Sequence, residues 1–104
     1  MYQNLVAPSF LAQLSATIKQ QPQATALVFN EEIWTYEQLD QTANHLQFYL
    51  ADAGLNRGAV VAIHTHSRAM AIAAMIAILR EGGAYLPLDP LYPAQRLQYM
   101  VENA

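Results

Sequence analysis

At 104 residues the chain lies at the lower edge of the single-domain range, and its 54% hydrophobic content excludes a disordered tail. Only 12% of residues are charged, about half the share of an ordinary soluble domain, so part of the apolar surface is expected to lie against other protein. The net charge of -3, with five scattered bases, excludes a basic footprint for nucleic acid, and the lack of cysteine excludes a disulfide framework and a thiolate nucleophile.

The opening residues, MYQNLVAPSFLAQLSATIKQ, carry no basic leading region and are broken by polar side chains, so a signal peptide is not expected there. From Phe10 to Ile18 the apolar residues Phe10, Leu11, Leu14 and Ile18 recur at helical spacing, with Ser9 placed to cap the helix and Pro22 to close it. Ala24 to Phe29 is rich in strand formers, and the turn NEE leads into IWTY, which together make a small hairpin. Thr35 and Gln38 have the spacing of a capping box, and Leu39, Ala43, Leu46, Leu50 and Ala53 follow on one stripe until Gly54. Trp34 is expected to anchor the hairpin against this long helix.

After the turn LNRG, Ala59 to His64 is a nearly continuous apolar run, the pattern of a strand covered on both faces. Ser67 can cap the next helix, about Arg68 to Arg80, which is apolar nearly all round. Its core from Ala69 to Leu79 is eleven residues, too short to cross a bilayer, so a buried helix is predicted. Gly82 and Gly83 end it, AYLPL restarts an extended segment, and Pro87, Pro90 and Pro93 stiffen the path. Pro93 can open a last helix with Leu97, Met100, Val101 and Ala104 at helical spacing. The order helix, hairpin, helix, strand, helix, strand, helix predicts an α/β layer with a parallel crossover between Ala59 and Leu86. Two core strands need neighbours to make a satisfactory sheet, and no repeat or linker divides the chain.

No residue stands out for chemistry. Gly82-Gly83 lacks the Gly-x-x-x-x-Gly-Lys-Ser/Thr string that would surround a phosphate with amides and a lysine, and is assigned to helix termination. Gly54 to Gly58 is likewise a turn. His64 and His66 share a strand face, but no third ligand lies at a metal spacing, and His45 sits among polar neighbours. Asp89, between Pro87 and Pro90, is the one carboxylate with the look of a catalytic group, yet it has no orienting partner and is assigned to holding a turn. Tyr85, Tyr92 and Tyr99 are assigned to packing. No catalytic, cofactor-binding or metal-ligating residue is therefore assigned.

Three stretches together resemble the adenylate-forming superfamily, in its branch of amino-acid-activating domains of nonribosomal peptide synthetases. WTYEQLDQTANHLQFYLADAGLNRGAVVAI (Trp34 to Ile63) is similar to the first core motif, of a Leu-Thr-Tyr-x-Glu-Leu kind. ILREGGAYLPLDPLYPAQRLQYMVENA (Ile78 to Ala104) is similar to the second, Leu-Lys-Ala-Gly-x-Ala-Tyr-x-Pro-Leu-Asp, and the Tyr-Pro-x-x-Arg after it, with Gly83, Ala84, Tyr85, Pro87, Leu88, Asp89, Pro90, Tyr92, Pro93 and Arg96 matching in order. The alanine-rich helix lies between them in the expected place. Departures are Trp34 for leucine, Ala59 for aspartate, and Arg80-Glu81 for Lys-Ala, which bear on local surface contacts.

The resemblance implies that residues 1–104 are an incomplete N-terminal part of an AMP-binding domain, with a hairpin and a parallel βαβ unit. The complete enzyme would use ATP and magnesium to make an aminoacyl-AMP, then pass the acyl group to a carrier-domain phosphopantetheine thiol, in cytoplasmic secondary-metabolite synthesis. The phosphate loop, substrate pocket, ribose-binding aspartate and C-terminal lysine of that family are not in this chain, so it would be scaffold, inactive alone. Its partner would be the rest of the domain or a complementing synthetase subunit. Two alternatives are a non-catalytic interaction module, suggested by the apolar central helix and low charge, and a fragment of an acyl-CoA or aryl-acid ligase.

Overall fold

The computed structural model describes the backbone of residues 2–103 and the side chains of residues 9–103. The chain runs α1 (Tyr2–Gln20), β1 (Thr25–Phe29), β2 (Glu32–Thr35), α2 (Tyr36–Asp52), β3 (Val60–His64), α3 (Arg68–Arg80), β4 (Ala84–Leu88) and α4 (Ala94–Glu102). This is the α/β order read from the sequence. Helix α1 starts before Ser9, which lies inside it rather than at its cap, because a capping preference of about 1 kcal/mol yields to a helix that continues through it. It ends at Gln20, before Pro22.

Strands β1 and β2 pair antiparallel across a two-residue turn, with Phe29 opposite Glu32 and Val28 opposite Ile33. Asn30 takes a left-handed φ of 56°, which asparagine tolerates better than a branched residue. The register shifts between Thr25 and Leu27, a bulge in β1 at Ala26. The second strand ends one residue earlier than the run IWTY indicates, since Tyr36 already belongs to α2.

The start of α2 shows why the chain turns there. The N–H groups of Tyr36 and Glu37 donate to the carbonyls of Ala24 (3.0 Å) and Pro22 (2.9 Å). The Gln38 N–H donates to Thr35 Oγ1 at 3.1 Å, while the Thr35 N–H donates to Gln38 Oε1 at 2.8 Å, so the capping box is formed. These bonds satisfy the helix-start donors that would otherwise lack partners.

Leu14, Leu39, Ala43, Ala73 and Ile76 form the core, which therefore joins α1, α2 and α3. Leu27, Trp34 and Tyr36 pack against it half-buried, so Trp34 ties the hairpin to α2 as its position indicates. On α2 the apolar stripe fades along its length: Leu39 and Ala43 are buried, Leu46 and Leu50 half-buried, and Ala53 is exposed as the C-cap. Helix α3 is buried as its composition requires, with Ala69, Ala73, Ile76, Ala77 and Ile78 enclosed. Its small side chains let α2 approach closely.

Strands β3 and β4 are parallel, in register from Val60 opposite Ala84 to His64 opposite Leu88, with α3 as the crossover. The expectation that β3 is covered on both faces is not met. Ile63 is buried and Val61 half-buried, but Val60, Ala62 and His64 are exposed. Among the described residues, a two-stranded parallel sheet with one helix over it leaves its second face uncovered. Helix α4 has no buried residue, and the Ala104 position of its apolar stripe lies outside the described residues. No described helix is long and apolar enough to cross a membrane.

Candidate functional site

Helices α2 and α3 end in the same way, and the loop that follows α2 bonds to the end of α3. At α2, Gly54 has a φ of 79°, its N–H donates to the Ala51 carbonyl (3.1 Å), and the Leu55 N–H donates to the Leu50 carbonyl (3.1 Å). At α3, Gly82 has a φ of 79°, its N–H donates to Leu79 (3.0 Å), and the Gly83 N–H donates to Ile78 (2.9 Å). Each is a Schellman motif, in which glycine supplies the left-handed conformation that lets the last helical carbonyls find donors. The Gly58 N–H then donates to the Gly82 carbonyl at 2.8 Å and the Ala84 N–H to the Ala59 carbonyl at 2.8 Å, which sets β3 and β4 side by side.

This arrangement tests whether Gly82-Gly83 fits a phosphate. It does not, because the amides of Gly82, Gly83 and Ala84 are all donating to carbonyls, leaving none aimed outward for an anion. The pair performs helix termination. A side chain at Gly83 would put its Cβ 3.0 Å from the Ala59 carbonyl oxygen and 3.1 Å from Ile78 Cγ2, so close approach of α3 to β3 also needs glycine.

Polar contacts across the helix pair come from the residues that depart from the family pattern. Arg80 Nη2 donates to Asp40 Oδ1 at 2.9 Å and Nη1 to Asn44 Oδ1 at 3.0 Å, and Gln47 Nε2 donates to Glu81 Oε1 at 2.8 Å. Three side chains of α2 thus hold the C-terminal end of α3. Sequence inspection marked Arg80 and Glu81 only as departures, since partners about forty positions away are set by the helix crossing.

The segment after β4 is a rigid corner. Asp89 Oδ1 accepts the Leu91 N–H at 2.9 Å, and the Asp89 carbonyl accepts the Tyr92 N–H at 3.1 Å, so this carboxylate holds the turn. The Arg96 guanidinium lies 4.5 Å from the centre of the Tyr92 ring, a cation–π contact that ties the first turn of α4 to the corner. Tyr85 and Tyr92 are half-buried, in keeping with packing, whereas Tyr99 is exposed on α4.

His64 and His66 flank Thr65 at the exit of β3, both exposed, and His45 is exposed on α2. Thr65 Oγ1 accepts the Ser67 N–H at 3.1 Å, and Ser67 Oγ accepts the Met70 N–H at 3.1 Å, so the polar atoms here cap α3. Among the described residues no three His, Cys, Asp or Glu side chains converge as a metal set.

Between α2, β3 and α3 lies an open cleft of about 290 Å³, lined by Leu46, Tyr49, Leu50, Val61, Ile63 and Met70 among others. Its walls are almost wholly apolar, and no lysine, arginine, aspartate or glutamate lines it. Such a surface suits an apolar protein partner and gives no handle to a triphosphate. The sequence pattern alone did not reveal it, because each of its residues also reads as ordinary core.

Comparison with known proteins accords with this geometry. The AMP-binding enzyme family matches residues 14–104. CymA of Salinispora arenicola, of the nonribosomal peptide synthetase kind, is 43% identical over 93 residues, covering 89% of this chain and 1% of CymA. Bacitracin synthase 2 of Bacillus licheniformis is 41% identical over 83 residues, 80% of this chain and 3% of the synthase. The chain thus spans only a few hundredths of the length of these curated relatives. Among solved structures, the Klebsiella oxytoca NpsA N-terminal subdomain superposes with a TM-score of 0.77 at 21% identity, over 88% of this chain and 24% of that one. The AMPPNP-bound nonribosomal peptide synthetase FmoA3 superposes with a TM-score of 0.82 at 29% identity, over 89% and 10%. The chain belongs to the AMP-binding enzyme family, is similar in sequence to nonribosomal peptide synthetases, and shares its fold with part of the NpsA N-terminal subdomain.

Proposed function

We propose that this chain is the scaffold portion of an ATP-dependent amino-acid-activating ligase, and that residues 1–104 are an incomplete part of its adenylation domain. The complete enzyme converts an amino-acid carboxylate to the aminoacyl-AMP with release of pyrophosphate, then transfers the acyl group to the phosphopantetheine thiol of a carrier domain. The observation that carries this reading is the match of nearly the whole chain to a family of AMP-binding enzymes, with synthetases as its relatives at 41 to 43% identity. In this reading other residues of the domain hold ATP and its metal.

The solved NpsA subdomain includes complexes with anthranilyl-AMSN and 3-hydroxybenzoyl-AMSN. At 21% identity they speak for the fold, and the AYLPLDP wording of residues 84–90 favours the amino-acid branch. The test is exchange of labelled pyrophosphate into ATP by the polypeptide that carries this chain, assayed with amino acids and with aryl acids in parallel. Exchange that depends on an amino acid is the expected result. Exchange with aryl acids alone would move the enzyme to the aryl-acid ligases, and exchange by the isolated 104 residues would refute the scaffold role.

A further inference from the structure

We propose that a second cleft, between the β1–β2 turn and the start of α3, binds a free α-amino acid, with Arg68 receiving its carboxylate and Glu32 its ammonium group. The cleft holds about 420 Å³ and is lined by Phe29, Asn30, Glu32, His66 and Arg68 among others. Its wall is mostly polar, unlike that of the apolar cleft beside β3. The hairpin register places its groups. Phe29 stands directly opposite Glu32, so both side chains leave the same face of the hairpin. The Arg68 guanidinium lies over the Phe29 ring, 6.0 Å from its centre. A carboxylate and a guanidinium thus neighbour one ring, yet they do not join, since among the described residues the ion pair is Arg80 with Asp40 alone.

The side chains of Asn30, Glu32, His66 and Arg68 also make no hydrogen bond to any described residue. Ser67 differs, because its Oγ accepts the Met70 N–H, so the charge in the cleft comes from side chains and not from the helix start. Two opposite charges that share a cleft without meeting match a small molecule that carries both. An α-amino acid holds a carboxylate and an ammonium on one carbon, whereas a simple anion or amine would satisfy one of the two and leave the other. The guanidinium fork suits a carboxylate, Asn30 and His66 add hydrogen-bonding groups, and half-buried Phe29 offers apolar surface to a ligand side chain. The charged groups are exposed, so binding is expected to be weak, about millimolar. The inference does not rest on the adenylation reading.

The test is hydrogen exchange, read by mass spectrometry, on the whole polypeptide that carries this chain as it is titrated with glycine, the smallest such zwitterion. Exchange in peptides covering residues 28–34 and 64–70 is expected to slow and to saturate with glycine, while peptides from α1 and α4 are unchanged. Glu32→Gln and Arg68→Gln should each weaken this protection severalfold, and Arg68→Lys, which keeps the charge, should retain part of it. Unaltered exchange of α2 without glycine shows that the variants are folded. No local protection by glycine, or protection as strong in the two glutamine variants, would overturn the site. Acetate protecting as well as glycine would overturn the amino-acid ligand, because Glu32 would then have no part in binding.

Discussion

Arg80 couples the two helices that carry the core, and its side chain is 19% exposed against 29% for its partner Asp40. Replacing it with alanine removes two hydrogen bonds from a charged donor, one to a carboxylate and one to an amide oxygen, at a site that water still reaches. Arg80→Ala is therefore expected to cost about 1 kcal/mol in denaturant-induced unfolding. Arg80→Lys should recover only part of it, because lysine lacks the fork that reaches Asp40 and Asn44 together. The two glycines at the end of α3 separate two kinds of cost. Gly82→Ala forces a left-handed φ of 79° on a residue with a Cβ, about 1–2 kcal/mol, without backbone in the way. Gly83→Ala has no such torsional cost, but its Cβ meets the Ala59 carbonyl oxygen at 3.0 Å, so amide exchange of Ala84 should rise as β3 and β4 are pushed apart. Thr35, Gln38 and Ser67 were legible from the sequence because a cap is a contact over three residues. The Arg80–Asp40 pair was not, since it depends on how two helices cross.

Among the elements, α3 is the most constrained, with Ala73 fully enclosed between α2 and the rest of the core. Ala73→Leu should cost about 1–3 kcal/mol by overpacking, measured as a lower thermal midpoint, whereas a similar enlargement at exposed Ala12 should be nearly silent. The order and type of all the elements, the hairpin, the crossover and the boundaries of α3 were readable from periodicity and turn residues. The start of α1 was not, because Ser9 reads equally as a cap or as a tolerated helical residue. Nor was the open face of β3, since an apolar run records a strand's need for cover and not whether the cover lies in the same chain. Five apolar residues of α3 are enclosed inside this unit, while Met70 and Ala74 line the open cleft and Phe48, Tyr49 and Val60 stand exposed.

At the scale of the whole molecule, the radius of gyration is 14.4 Å, above the roughly 13 Å of a compact chain of about 100 residues. The extents of 43 × 32 × 27 Å describe an elongated body whose last helix encloses no side chain. A short chain also buries a small fraction of its surface, so the isolated 104 residues should be of marginal stability and self-associate through their open apolar faces. Sedimentation velocity over a range of concentrations checks this, and a stable monomer throughout would count against it. The glycine turns were legible in the sequence, since Gly54 and Gly82 follow helical runs. The apolar cleft arises only when α2, β3 and α3 are brought together. The most direct test of the account is the intact mass of the product in its source cells. A mass several times the 11.6 kDa of this chain is expected of a segment of a larger adenylating enzyme, and a mass of 11.6 kDa would contradict it.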